Sequence, residues 1–245
     1  LNLDENQITA MEAEAFVNFK MLTVLSLRRN MITAVNELFY LPNKLQRLDL
    51  SNNWISEIKG FKSFTWGELR HLNLSHNRIE SLRTELSKLD ALDTLDLSHN
   101  SIKKVDSKPI ILSRSLRRLL LDHNKFTAWP FDSLPDTLVE LSLSFNELET
   151  TKEGHYVRHL DLSSNRLASF CGHCYPALEE LDLSGNYFDT IPKLSNATGN
   201  SIRKLDLSYN ALQQVPEDMV HWKQITQGVD LQGNPFNCNC SMQWF

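Results

Sequence analysis

One arrangement of apolar and polar positions recurs along the whole chain. It is L-x-x-L-x-L-x-x-N-x-I/L/F. It reads LTVLSLRRNMI from Leu22, LQRLDLSNNWI from Leu45, LRHLNLSHNRI from Leu69, LDTLDLSHNSI from Leu92 and LRRLLLDHNKF from Leu116. It continues as LVELSLSFNEL from Leu138, VRHLDLSSNRL from Val157, LEELDLSGNYF from Leu178 and IRKLDLSYNAL from Ile202. A partial copy opens at Leu1 and a degenerate one closes from Thr226. The asparagines fall at 6, 30, 53, 77, 100, 124, 146, 165, 186, 210 and 234, so successive gaps are 24, 23, 24, 23, 24, 22, 19, 21, 24 and 24 residues. Self-similarity at this period is the signature of a stacked-repeat architecture.

The leucines of L-x-L are two apart, so both point to one face of a short strand. Each copy therefore adds one strand to a parallel sheet, with leucines inward and the intervening residues outward. The asparagine turns the chain after the strand. Its amide both donates and accepts, so stacked copies satisfy loop backbone groups that would otherwise be buried unpaired. Phe16, Phe19, Phe64, Trp66, Leu89 and Trp222 come where the return segment must fill the outer half of the core. At a strand spacing of about 4.8 Å, eleven copies make a stack about 50 Å long. The short copies around Asn165 and Asn186 carry less return chain, so the curvature should change there.

This pattern resembles the leucine-rich repeat, mostly of the 24-residue kind. The resemblance implies an α/β solenoid of about eleven repeats over residues 1–236. Its shape would be a curved horseshoe, with a parallel sheet on the concave face and an irregular or short-helical convex side. A solenoid needs caps on its terminal repeats. The first copy begins inside a strand, so an N-terminal cap is expected to lie outside the chain. Residues 237–245 complete the string NPFNCNCSMQWF, which resembles the start of the cysteine-rich C-terminal cap of extracellular leucine-rich-repeat proteins. In that family the C-x-C pair, here Cys238 and Cys240, bonds to later cysteines, whose counterparts would lie outside this chain. A tryptophan like Trp244 packs under the last repeat there. Slit-type guidance proteins, Toll-type receptors and neuronal adhesion receptors share this cap.

Composition narrows the function classes. A net charge of −5 excludes a strongly basic surface wrapped around nucleic acid. With 41% hydrophobic and 22% charged residues the chain is expected to fold. No apolar run approaches 18 residues, so contact with a membrane would come only through a segment outside the chain. Cysteine caps imply an oxidising compartment. Three N-x-S/T sequons agree with it, at Asn73, Asn196 and Asn239. Asn196 lies in a polar loop, Asn73 on the open strand face and Asn239 between the two cap cysteines.

Several strings invite a chemical reading. Cys171-Gly-His-Cys174 matches the C-G-H-C motif of protein disulfide isomerases, whose low-pKa thiolate sits at a helix N-terminus after a strand of a thioredoxin fold. No such setting surrounds it here, so it is read as a small disulfide loop pinning the short repeats. A zinc site would need a fourth ligand, and none is evident. His76, His99 and His123 hold one repeat position in three consecutive copies. Their charging would be mutually repulsive near pH 6, although S-H-N is ordinary repeat vocabulary. Asp49, Asp96, Asp161, Asp182, Asp206 and Asp230 share the outward position between the strand leucines. Flanking serines favour hydrogen bonding over calcium, and the column biases the C-terminal half toward a basic partner surface. No hydrolase, Walker, zincin or kinase string occurs. The chain is read as non-enzymatic, with no metal or cofactor.

The open strand face should carry outward columns two, four and six residues before each asparagine. Departures from their polar default nominate three partner-binding patches. The first is Arg118 and Leu120 with Phe145, an apolar pair beside an Arg. The second is Arg28 and Arg29 with Trp54, and the third is Tyr187 with Tyr209. A glycan on Asn73 would shield the concave centre and move binding toward an end or edge. The resulting reading is an extracellular protein-binding ectodomain, cell-surface or secreted, acting in adhesion, guidance or receptor signalling. Its partner would be an extracellular protein ligand or co-receptor. Two alternatives remain at this stage: a Toll-type innate immune receptor ectodomain, and a repeat region regulating an attached intracellular enzyme.

Overall fold

The buried leucines of L-x-L set the strands, and the asparagine that follows locks each turn. The computed structural model describes residues 1–10, 15–16, 18–35, 42–56, 67–82, 89–105, 114–154, 156–194, 202–215 and 222–237. Two compact units divide the chain, Leu1–Lys125 and Phe126–Phe245.

In the first unit β1 (Val24–Ser26), β2 (Arg47–Asp49), β3 (His71–Asn73), β5 (Thr94–Asp96) and β7 (Arg118–Leu120) pair in that order, all parallel. The register puts Leu25, Leu48, Leu72, Leu95 and Leu119 side by side. All five are at most 1% exposed, as are Leu27, Leu50, Leu74, Leu97 and Leu121 two residues on. The two-residue strands β4 (Ser81–Leu82) and β6 (Lys104–Val105) form a separate parallel pair in the return segments. The second unit repeats the plan with β8 (Glu140–Ser142), β9 (His159–Asp161), β10 (Glu180–Asp182), β11 (Lys204–Asp206) and β12 (Gly228–Asp230). The only helices among the described residues are 3-10 turns at Gly172–Cys174 and Trp222–Gln224. No helix there is long and apolar enough to cross a membrane.

The parallel-sheet solenoid is the expected fold, with a small difference in count. Each unit supplies five strands of its own ladder, and the first copy contributes a single bridge from Asn2 to Ser26.

The asparagines do what their amides allow. Asn100 Nδ2 donates to the carbonyls of Leu74, Leu97 and Ser98 at 3.0, 3.0 and 3.1 Å, while its Oδ1 accepts from Ile79 N at 3.0 Å. Asn53, Asn77 and Asn124 repeat this set in the first unit, and Asn165, Asn186 and Asn210 in the second. Each ties its own turn to the preceding copy, which an apolar residue could not do.

The return segments depart from the sequence reading. Phe16 and Leu89 are buried as expected, but Phe19 is 47% exposed, its ring only edging Phe16 at 6.2 Å. Phe64 and Trp66 lie outside the described residues. In the second unit the outer core is filled by Phe126, Trp129, Phe131, Phe170, Tyr175 and Phe188.

Candidate functional site

Outward residues of β1, β2, β3, β5 and β7 floor an open hollow of about 350 Å³ within the first unit. The file six residues before the asparagine supplies Val24, Arg47, His71, Thr94 and Arg118. The file four before it supplies Ser26, Asp49, Asn73, Asp96 and Leu120. The floor is not uniformly polar: Val24 is 47% exposed and Leu120 half-buried. The field is cationic on one side. Burial pushes the His71 imidazole below its ordinary pKa of 6.5, the Arg47, Arg70 and Arg118 guanidiniums push it further, and only Asp93 opposes them. Arg47 and His71 were missed in the sequence. Reading the minus-six file as one column, with Arg118 at its end, would have found them.

The carboxylates of the minus-four file are already occupied. Asp49 and Asp96 accept from the backbone N–H two residues on, at 2.8 and 2.9 Å. Asn73 substitutes for an aspartate and makes the same bonds, accepting from Ser75 N at 2.9 Å and Ser75 Oγ at 2.8 Å. This sequon residue therefore lies on the floor of the hollow. In the second unit Asp161, Asp182, Asp206 and Asp230 each accept from the following backbone in the same way. Asp182 is pushed above the ordinary carboxylate range by burial and by Asp161 and Asp206, against the pull of its bonds from Ser184.

The remaining partner-binding candidates fall on other files. The residue directly before the asparagine is left-handed in every copy, with φ between 51° and 70°. This file holds Arg29, His76, His99 and His123 in the first unit and Phe145 and Tyr209 in the second. Phe145 is 51% exposed, but it is not on the strand face where the sequence reading grouped it with Arg118 and Leu120. Only the last two line the hollow. Arg29 is paired with Glu5 at 2.6 Å, and Arg28 donates its backbone N–H to Asp4. Trp54 and Tyr187 sit just after the asparagine. Arg78, one copy on from Trp54, lies over its ring at 5.0 Å. The Tyr209 hydroxyl accepts from Gln232 Nε2 at 3.0 Å, and its ring packs where a side chain on Gly233 would stand. Asn196, Asn239, Cys238 and Cys240 lie outside the described residues.

The left-handed file also stacks the three histidines. The rings of His76 and His99 are 4.0 Å apart and 9° from parallel, and those of His99 and His123 are 4.2 Å and 15°. That is closer than the strand spacing of about 4.8 Å. His99, in the middle, is held below 6.5 first by burial, then by His76 and His123, with Asp122 and Asp96 opposing. The consequence for stability has a definite sign. An unfolded His99 takes up its proton near pH 6.5 while the folded one resists, so the folded state is disfavoured as pH falls through that value. Melting temperature should drop between pH 7.5 and 5.5, and His99→Gln should flatten that drop. An equal slope in the variant would show that the stack carries none of it.

The repeat geometry is matched by known proteins. Leucine rich repeat family profiles match residues 1–55 and 67–126, and a second profile of the same repeat matches 177–196; together these cover more than half of the chain. The chain belongs to the leucine-rich-repeat family. Leucine-rich repeat-containing protein 3 of Danio rerio is 33% identical over 93 residues, which is 36% of this chain and 34% of that protein. The match thus spans about a third of that curated relative's length. A solved octameric complex of Latrophilin 3, Unc5D and FLRT2 (LRR) contains a chain that superposes with a TM-score of 0.83. That match has 23% identity and covers 99% of this chain and 77% of that one. The Drosophila Toll–Spatzle complex gives a TM-score of 0.76 at 20% identity, over 95% of this chain and 37% of that one. At these identities the structural likenesses concern the fold. The chain has the parallel-sheet solenoid architecture of leucine-rich-repeat domains.

Proposed function

We propose that the chain is the protein-binding part of an extracellular leucine-rich-repeat protein, cell-surface or secreted, acting in adhesion, guidance or receptor signalling. The observation that carries this reading is the hollow of the first unit. It is a preformed floor on short, hydrogen-bonded strands, with exposed Val24 and half-buried Leu120 among Arg47, His71 and Arg118. Apolar anchors among arginines, on a surface that need not reorganise, suit tight protein docking. The partner patch would be acidic with an apolar centre. The second unit's files, with Glu140, Asp161, Glu180, Asp182 and Asp206 against Lys204, suit a basic surface instead. The likeness to a chain from a complex of FLRT2 with Latrophilin 3 and Unc5D supports the reading. So do the sequons and the NPFNCNC string, where residues 237–245 would open a cysteine-rich cap with Cys238 and Cys240 bonded outside the chain.

The test is a multivalent fusion of the chain screened against surface and secreted ectodomains, with microbial products alongside. We expect saturable binding to an ectodomain. Arg118→Ala with Leu120→Ala should weaken it by about 30-fold, the loss of about 2 kcal/mol typical of an anchor pair. Phe145→Ala should weaken it less. Binding that ignores the double change removes the hollow as the site. Binding only to microbial products turns the reading toward a Toll-type receptor.

A further inference from the structure

We propose that Cys171 and Cys174 form a thiol–disulfide exchange site, with His173 as the proton acceptor for Cys171. The two cysteines, three positions apart, are bonded to each other, and both are half-exposed. The His173 ring is exposed and places Nδ1 and Nε2 at 3.4 and 3.3 Å from Cys171 Sγ. The same three side chains are brought together within 4.8 Å.

What distinguishes this loop from a staple is that its shape does not need the bond. Backbone bonds from Cys174 N to Cys171 O and from Tyr175 N to Gly172 O already close the turn. Gly154 N donates to Cys174 O, and the Tyr175 hydroxyl donates to Lys152 O, so the preceding segment holds the loop from one side. Gly172 lies flat against the backbone of Lys193 and Leu194 on the other. Phe170 and Tyr175, flanking the loop, are buried and stacked at 5.2 Å. A ring this small also constrains little of the unfolded chain. Reduction would leave two thiols on a fixed turn, close enough to re-form their bond, beside a base and open to solvent. That is a setting for exchange chemistry.

The electron balance is closed by a thiol substrate of protein, peptide or glutathione type. A substrate thiolate attacks Cys171 Sγ, the Cys171–Cys174 bond breaks, and Cys174 leaves as a thiolate that takes up a proton. A second substrate thiolate then attacks the substrate sulfur of this mixed disulfide. The substrate departs as its disulfide, and Cys171 leaves with its electron pair and is protonated. Two substrate thiols are oxidised and the protein disulfide is reduced by two electrons. In reverse, the imidazole of His173 takes the Cys171 proton, and the resulting thiolate attacks a substrate disulfide.

The experiment uses the full chain with Cys238→Ser and Cys240→Ser, so that only this pair reports. The oxidised pair should equilibrate with reduced and oxidised glutathione, read by alkylation and mass spectrometry, while the circular dichroism melt stays intact. The reduced chain should cleave a fluorescence-quenched glutathione disulfide, and Cys171→Ser with Cys174→Ser should abolish that cleavage. With Cys174→Ser, Cys171 should accumulate as its mixed disulfide with glutathione. Its alkylation should show a pH midpoint below the 8.5 or so of a free cysteine. His173→Gln should move that midpoint up and slow exchange at neutral pH about tenfold, as the thiolate fraction falls tenfold per unit. Any of three results overturns the proposal. They are a bond that glutathione opens only when the fold melts, a midpoint indifferent to His173→Gln, and a reduced trio that takes up zinc and is inert to disulfides.

Discussion

Replacing Asn100 by Asp should destabilise the first unit by about 5 kcal/mol at neutral pH, more than replacing it by Ala. The Nδ2 group donates to three carbonyls and Oδ1 accepts from Ile79 N, all at 3.0–3.1 Å, in a side chain only 8% exposed. In Asn100→Ala four hydrogen bonds are lost: Ile79 N is left without its partner, and the carbonyls of Leu74, Leu97 and Ser98 each keep only their second donor, from Asn77, Asn124 and His76 N. At about 1 kcal/mol each the loss is about 4 kcal/mol. In Asn100→Asp one carboxylate oxygen can still accept from Ile79, but the other faces the oxygens of Leu74, Leu97 and Ser98 with no proton to give. A buried charge among acceptors relieves itself by protonation. The folded carboxyl should therefore titrate well above its unfolded value. The penalty, measured against wild type at the same pH, should then shrink as pH falls from 7.5 toward 5, because the folded state takes up the proton first. Urea unfolding of the two variants at both pH values checks this. A pH-independent penalty, or an Asp variant as stable as wild type, would show that the ladder of amides is not what joins the repeats.

The same ladder explains how much could be read in advance. Leu25, Leu27 and their counterparts were legible because period and burial are one fact in a parallel stack: a residue's neighbours are its equivalents in the adjacent copies. For that reason the histidine file could be written down from the recurring H-N pair alone. Its rings closing to 4.0 Å could not, because that depends on the left-handed backbone at each position. Phe145 was misassigned for a related reason. Counting back from the asparagine gives the file, but only φ tells which way the file points. The hollow was half legible. Arg118 and Leu120 stood out as single departures, whereas Arg47 and His71 had to be read as a column to be noticed. The return segments have no period, so nothing in the spacing separated buried Phe16 from exposed Phe19, or announced Tyr175 as fully buried.

Gly172 shows the limit from the other side, because its motif was legible while its reason was not. In C-G-H-C the glycine reads as part of a redox signature. In the structure it is a matter of space. A Cβ there would stand 2.4 Å from Lys193 O, 3.0 Å from Leu194 Cα and 3.3 Å from Leu194 Cδ2. Two of these are backbone atoms that cannot swing aside, and overpacking against a fixed neighbour costs about 3 kcal/mol. Gly172→Ala should therefore lower the stability of the second unit by about that amount, and the loop should move off Lys193. Cys171→Ser with Cys174→Ser should lose about 2 kcal/mol, since the turn keeps its backbone bonds and the ring it opens is short. The two variants, compared by urea unfolding, separate the roles of residues that the motif presents as one unit. If the serine pair proves as damaging as the alanine, the disulfide is what holds the turn and the loop is a staple. If the alanine is harmless, the packing of Gly172 against Lys193 is not the constraint its contacts indicate. The expected order places the structural demand on the glycine and leaves the cysteines free for chemistry.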